Sequence, residues 1–232
     1  MKTKWLDNFL NLFFPHLCLA CGERPIKNKE IICLKCQSTL PETNMHLSKE
    51  NRFTDRFWGR IDLSAGAALY AFQKGGTVQQ LIHKLKYHNR PNIGLQLGIY
   101  YGKKLNKTVL FKNIDAIVPV PLHPQKQRQR GYNQSTQFAL GLSESLKKPI
   151  IHKGLKRIKY GESQTRKSKT KRYEDILQAF EIHHGNLLKN KHILLVDDVL
   201  TTGATLETCA SKILALTNTK VSMVTIAMGG LE

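Results

Sequence analysis

The residues best suited to chemistry lie in one run, His192-Ile-Leu-Leu-Val-Asp197-Asp198-Val-Leu-Thr201-Thr202-Gly203-Ala204-Thr205. An apolar strand pattern leads into two adjacent carboxylates, then a hydroxyl-rich turn with one glycine, then apolar residues at helical spacing. Such a turn suits a phosphorylated sugar. Backbone N–H groups at the turn and helix start offer positive charge to a phosphate, Gly203 permits close approach of the backbone, and the threonine hydroxyls add donors. A carboxylate beside a phosphate repels it, so Asp197 and Asp198 are expected to face sugar hydroxyls or a divalent ion while the phosphate sits deeper in the turn. The run is neither a Gly-x4-Gly-Lys-Ser/Thr loop nor a Gly-x-Gly-x-x-Gly turn after a first strand.

A second chemical pattern is C-x2-C-x11-C-x2-C, formed by Cys18, Cys21, Cys33 and Cys36. Each C-x2-C turn aims both sulfurs to one side, so the four thiolates are expected to surround one tetrahedral ion, a structural Zn2+. Four reduced thiols or two disulfides are the alternatives. Nothing in the chain looks secreted, and a disulfide scaffold would not confine its cysteines to a small part of a 232-residue chain. Cys209 falls in an apolar helical stripe with Leu206, Ala210 and Ile213 and reads as core.

The elements that must position these groups follow from composition and patterning. Hydrophobic residues make up 41% and charged residues 23%, which excludes a disordered, collagenous or membrane-bundle chain and fits one core with a small appendage. The net charge of +19 favours anionic partners, and +11 of it falls between Pro121 and Lys191, whereas residues 192–232 carry −2. Trp5, Leu6, Phe9, Leu10 and Phe13 share one helical face, but Asp7, Asn8, Asn11, Pro15 and His16 interrupt the stretch. It is therefore expected to pack as an amphipathic helix, not to act as a signal or membrane span, leaving the protein cytoplasmic with no membrane insertion.

Residues 1–60 are taken as the N-terminal helix and four-cysteine zinc module, with Pro41 to Arg60 as linker or module edge, and residues 61–232 as the large phosphate-binding domain. In that domain Ala67 to Phe72, Ile114 to Val120, Ile193 to Val196 and Val221 to Ala227 read as strands alternating with helical stretches. Such alternation predicts a parallel α/β sheet with ligands beyond the carboxyl ends of its strands. Lys153 to Glu181 breaks the rhythm with a long basic loop, either functional or a solvated insertion.

The Asp197 to Thr205 run resembles the signature by which type I phosphoribosyltransferases bind phosphoribosyl pyrophosphate (PRPP), with every position filled. A second stretch, Val118-Pro-Val-Pro-Leu-His-Pro-Gln-Lys-Gln-Arg-Gln-Arg-Gly-Tyr-Asn-Gln134, together with the cysteine knuckles, resembles the ComF family, whose relatives are tied to DNA uptake in natural transformation. The likeness runs from Phe13 to Met228. It implies an α/β fold, a type I phosphoribosyltransferase-like parallel sheet flanked by helices, with a small N-terminal zinc-ribbon-like module. In such proteins Asp197 and Asp198 would be the catalytic acids that hold the ribose, and Thr201, Thr202, Gly203, Ala204 and Thr205 would hold the 5-phosphate. Backbone near Leu122 and His123, with Arg128 and Arg130, would face the pyrophosphate, and Mg2+ would accompany PRPP. Solvated surface is the alternative for the two arginines, and bracing of the turn is the alternative for His123.

The basic loop resembles the hood that closes over PRPP in this fold. Ser163-Gln164-Thr165, Arg172 and Ala179-Phe180 match relatives, with Gln164, Lys167 and Arg172 as hood-site positions. Lys126, Lys167 and Asp175 depart from the family pattern; Lys126 keeps a charge but not the planar fork of an arginine. The resemblance implies an enzyme that displaces pyrophosphate from PRPP with an unnamed nucleophile. The alternative is a non-catalytic, PRPP-responsive protein that binds single-stranded DNA alongside other DNA-uptake proteins, with Tyr132, Tyr160 and Tyr173 stacking bases or simply packing.

Overall fold

The computed structural model describes residues 16–26, 30–159 and 178–231. The expected N-terminal helix at Trp5 to Phe13, the hood positions Gln164, Lys167 and Arg172, and Tyr160 and Tyr173 lie outside the described residues. Among the described residues the large domain is built on six strands: β1 (Ala65–Phe72), β2 (Ala116–Pro119), β3 (Leu155–Arg157), β4 (Phe180–Ile182), β5 (His192–Leu200) and β6 (Lys220–Gly229). The same residues hold α1 (Leu34–Thr39), α2 (Arg52–Asp55), α3 (Thr77–Tyr87), α4 (Pro91–Leu105), α5 (Pro124–Arg130), α6 (Gln134–Leu146) and α7 (Ala204–Leu214).

Four strands form one parallel sheet in the order β1-β6-β5-β2. A parallel sheet needs cover on both faces, which is why β5 opens with Ile193, Leu194, Leu195 and Val196, all buried. Alternation sends Leu194 and Val196 into a core shared with α3, α4, α6 and the cysteine module. Ile193 and Leu195 join the opposite core, with α7 and the β3–β4 hairpin. On the first face α4 and α6 pack at backbone contact. A Cβ at Gly98 would run into the Phe138 carbonyl, and one at Gly141 into the Leu95 carbonyl.

Two departures from the sequence expectation bear on the site. First, β5 does not stop at Val196. β2 runs beside it to Pro119, opposite Val196; the Val120 amide still donates to the Val196 carbonyl at 2.8 Å, and Pro121, with no N–H, cannot extend the ladder. β6 stays beside it, pairing Asp197 with Thr225 and Leu200 with Met228, so the acidic pair lies on the strand itself. Second, residues 41–60 are no mere linker. The Thr43 amide donates to the Leu69 carbonyl and the Ala71 amide to the Pro41 carbonyl, at 3.0 and 2.8 Å, laying the segment along β1. Asn51 caps α2 through a reciprocal capping box with Thr54, and Phe53 and Phe57 are buried in the core of the large domain. Two aromatics four residues apart are too sparse a signal to register as periodicity.

The long basic stretch is likewise anchored at both ends. β3 and β4 pair antiparallel, Leu155 with Ile182 and Arg157 with Phe180, and so bring residues 159 and 178 together at the base of the expected hood.

Candidate functional site

Asp197 is seated where β2 has ended and α6 begins. Asn133 caps α6 by accepting from the Ser135 amide at 3.1 Å, and Ser135 Oγ donates to Asp197 Oδ1 at 2.8 Å. The Asp198 amide donates to the same oxygen at 2.9 Å, and Asp198 Oδ2 pairs with Lys86 Nζ on α3 at 3.0 Å. Burial raises the Asp197 carboxyl to about 7, and the neighbouring Asp198 charge adds to the push. Ser135, the Asp198 amide and Lys86 act in the other direction without cancelling it.

The turn after β5 has the geometry read from its sequence. Gly203 adopts φ +88° as N-cap residue of α7, a conformation that disfavours side chains, and a Cβ there would sit 3.1 Å from Phe57 Cε1. Thr201 and Thr202 are exposed, Gly203 and Ala204 are buried, and Thr205 is half-buried at the head of an eleven-residue helix. The N–H groups of its first turn have no carbonyl partners within the helix, which leaves them to an anion.

Across from this turn lies the loop after β2. Leu122 and His123 are half-buried, Asn133 Nδ2 donates to the Val120 carbonyl at 2.9 Å, and His123 Nδ1 accepts from the Gln125 amide at 3.3 Å. His123 thus caps α5, so the geometry supplies the bracing role. Arg128 and Arg130 line a cleft of about 670 Å3 with Lys86, Tyr87, Asn89 and Lys126. Arg130 Nη1 donates to Gln134 Oε1 at 2.8 Å, and its guanidinium lies 5.2 Å from the centre of the Tyr87 ring. Burial lowers the Lys126 ammonium, and the charges of Arg157, Arg130 and Lys86 lower it further. A group crowded in this way by like charges is placed to meet an anion.

Sequence reasoning missed three contributors: Lys86, Ser135 and Arg157. Arg157 leaves β3 with its guanidinium 5.1 Å from the Phe180 ring centre, and both Lys126 and Asp197 feel its field. The basic content of residues 153–181 was the available signal for Arg157; Lys86 and Ser135 had none.

The four N-terminal cysteines converge. Their Sγ atoms all lie within 4.8 Å of one another, close enough to share one metal ion, and they are the only such group of His, Cys, Asp or Glu among the described residues. The Cys33 amide donates to Cys18 Sγ at 3.2 Å and the Cys36 amide to Cys33 Sγ at 3.5 Å. Amides of Glu23 and Arg24 hold the Cys21 thiol down to about 6, whereas burial first and the other sulfurs next push Cys36 up to about 12. A cation amid the four would remove that conflict. The cluster is fixed to the large domain by Lys84 Nζ, which donates to the Leu19 carbonyl at 2.7 Å. Cys209 is buried on α7 among core side chains.

Residues 132–231 match the family model described as the phosphoribosyl transferase domain, and the parallel sheet with its strand-turn-helix site is that fold. Over 195 residues the chain is 35% identical to competence protein ComFC of Bacillus subtilis, an alignment covering 84% of this chain and 70% of that one, so the chain belongs to the ComF family. Competence protein F of Haemophilus influenzae is 34% identical over 130 residues, 54% of this chain and 57% of that protein. A solved glutamine PRPP amidotransferase from B. subtilis aligns with 62% of this chain and 30% of its own at 17% identity and a TM-score of 0.43. Among the described residues no helix is long and apolar enough to cross a membrane.

The Asp197 environment generates a pH-dependent stability. Its carboxyl is raised in the native state, so its contribution is fully present below the unfolded value near 4 and is lost as pH rises through about 7. Asp197→Asn keeps the acceptor for Ser135 and removes the buried charge. In urea melts of the unliganded protein the variant should be more stable than the parent at pH 8, with the gap narrowing as pH falls toward 4. A gap that does not change with pH would contradict this account.

Proposed function

We propose that the protein binds PRPP at the carboxyl end of β5 and displaces its pyrophosphate with a nucleophile that remains to be identified. The observation that carries this reading is the placement of a partly buried acidic pair between two anion-seeking surfaces. On one side is the Gly203 turn at the head of α7, and on the other are Lys126, Arg128 and Arg130 with the backbone at Leu122 and His123. A molecule with a phosphate at one end, hydroxyls in the middle and a pyrophosphate at the other matches that order of groups.

In this reading Asp197 and Asp198 accept hydrogen bonds from the ribose hydroxyls, and Thr201 to Thr205 hold the 5-phosphate. Mg2+ arrives on the pyrophosphate as part of the substrate. As the bond from ribose C1 to the pyrophosphate oxygen breaks, positive charge develops on the sugar and negative charge on the leaving group. The carboxylates face the first and the cationic wall faces the second, so both are stabilised by groups already in place. No side chain attacks, and no catalytic triad is needed. In this reading Gln164, Lys167 and Arg172, which lie outside the described residues, would contribute to a hood that excludes water. Zn2+ at the four cysteines has a structural role, and four reduced thiols are compatible with the cytoplasm.

Calorimetry tests the pocket. PRPP with Mg2+ should bind the parent protein, and Asp197→Ala with Asp198→Ala should weaken it by at least roughly tenfold, the scale of a lost hydrogen bond to a charged group. An unchanged affinity would remove the basis of the assignment.

A second reading, that the chain is a PRPP-responsive single-stranded DNA-binding competence protein acting with other DNA-uptake proteins, is favoured by the net charge of +19. The cleft lined by four cations beside Tyr87, itself 63% exposed, and the names of its competence-protein relatives add to it. Its affinity for single-stranded DNA should fall steeply and linearly on a log–log plot against salt. A flat profile would count against it.

A further inference from the structure

We propose that Arg56 and Arg60 are positioning residues for the phosphate turn, acting from behind it. The inference rests on the PRPP reading above and specifies what makes the turn competent for the 5-phosphate. A turn that points its amides at an anion must rotate carbonyls to its outer side, where each needs a donor. Arg56 supplies it: Nη1 donates to the Thr201 carbonyl at 3.0 Å and Nη2 to the Gly229 carbonyl at 2.9 Å. One guanidinium thereby ties the exit of β5 to the end of β6. The planar fork makes both bonds at once, which an ammonium cannot reproduce.

The next residue, Phe57, packs against the turn: a Cβ at Gly203 would come within 3.1 Å of its ring, a tight contact in a backbone conformation that already disfavours side chains. One turn further on, Arg60 Nη1 meets Glu207 Oε2 at 2.7 Å, with the Arg60 guanidinium 5.8 Å from the Phe57 ring centre. Glu207 lies in the first turn of α7 and its side chain is only 9% exposed. An acid there suits an unliganded helix start but opposes a phosphate arriving at the same end. Pairing with Arg60 offsets that repulsion. Residues 56, 57 and 60 therefore hold, in order, the carbonyl before the turn, the turn, and the first turn of the helix behind it. All three precede β1, so the phosphate site is completed by a segment outside the matched residues 132–231.

The test is calorimetry with ribose 5-phosphate and, separately, inorganic pyrophosphate with Mg2+, on the full chain with melting curves alongside. The parent should bind both. Arg56→Ala and Arg56→Lys should weaken ribose 5-phosphate by roughly tenfold or more and leave pyrophosphate within about twofold. Arg60→Gln should also weaken ribose 5-phosphate while leaving pyrophosphate within about twofold, and adding Glu207→Gln should restore it; a merely structural loss would weaken both ligands together. Arg52→Ala, whose guanidinium donates to the Leu231 carbonyl at 3.1 Å and to no carbonyl of the turn among the described residues, should change neither ligand. Equal loss of both ligands in Arg56→Ala, or failure of Glu207→Gln to rescue, overturns the positioning role. A parent protein that binds neither ligand instead overturns the PRPP reading on which the proposal rests.

Discussion

Past Pro119 the strand β5 has no β2 neighbour, yet β6 holds it extended for four more residues. Asp197 falls in that half-paired stretch. A carboxylate placed there is partly desolvated, and the donors around it do not fully compensate, because its carboxyl is still raised to about 7. The surrounding architecture is consistent with this one constraint. Ser135 reaches it from the capped start of α6, Lys86 holds the adjacent acid from α3, and Arg157 extends its field toward it from the β3–β4 hairpin.

The same constraint sorts charge around the site. Two acids cannot share a crevice with phosphoryl groups unless the anions are drawn elsewhere. Here the turn at Gly203 and helix α5, which carries Lys126, Arg128 and Arg130, are the anion-seeking surfaces. Burial, reinforced by neighbouring like charges, lowers Lys126, just as burial, reinforced by Asp198, raises Asp197.

Much of this was legible in the sequence because it is local. The run from His192 to Thr205 places strand, acids, turn and helix within fourteen residues, and the four cysteines need only two knuckles. What was not legible depends on distant pairing. Ser135 meets Asp197 across 62 residues and Arg56 meets Thr201 across 145, separations over which residue type alone carries no geometric signal. Residues 41–60 read as linker because only Phe53 and Phe57 stand out there; without β1 and the Gly203 turn as partners, their spacing looks random. The extent of β5 was underread because its partner β6 outlasts its partner β2, a property of neither strand alone.

The central claim is that one bend binds the phosphate while the acids bind the sugar. A crystal structure of the protein with PRPP and Mg2+ tests this most directly. The account requires 5-phosphate oxygens on the amides of residues 202–205, ribose hydroxyls on Asp197 and Asp198, and pyrophosphate against Arg128 and the backbone at residues 122–123. A ligand bound in another orientation, or a bend filled by the chain's own side chains while PRPP sits elsewhere, would contradict it.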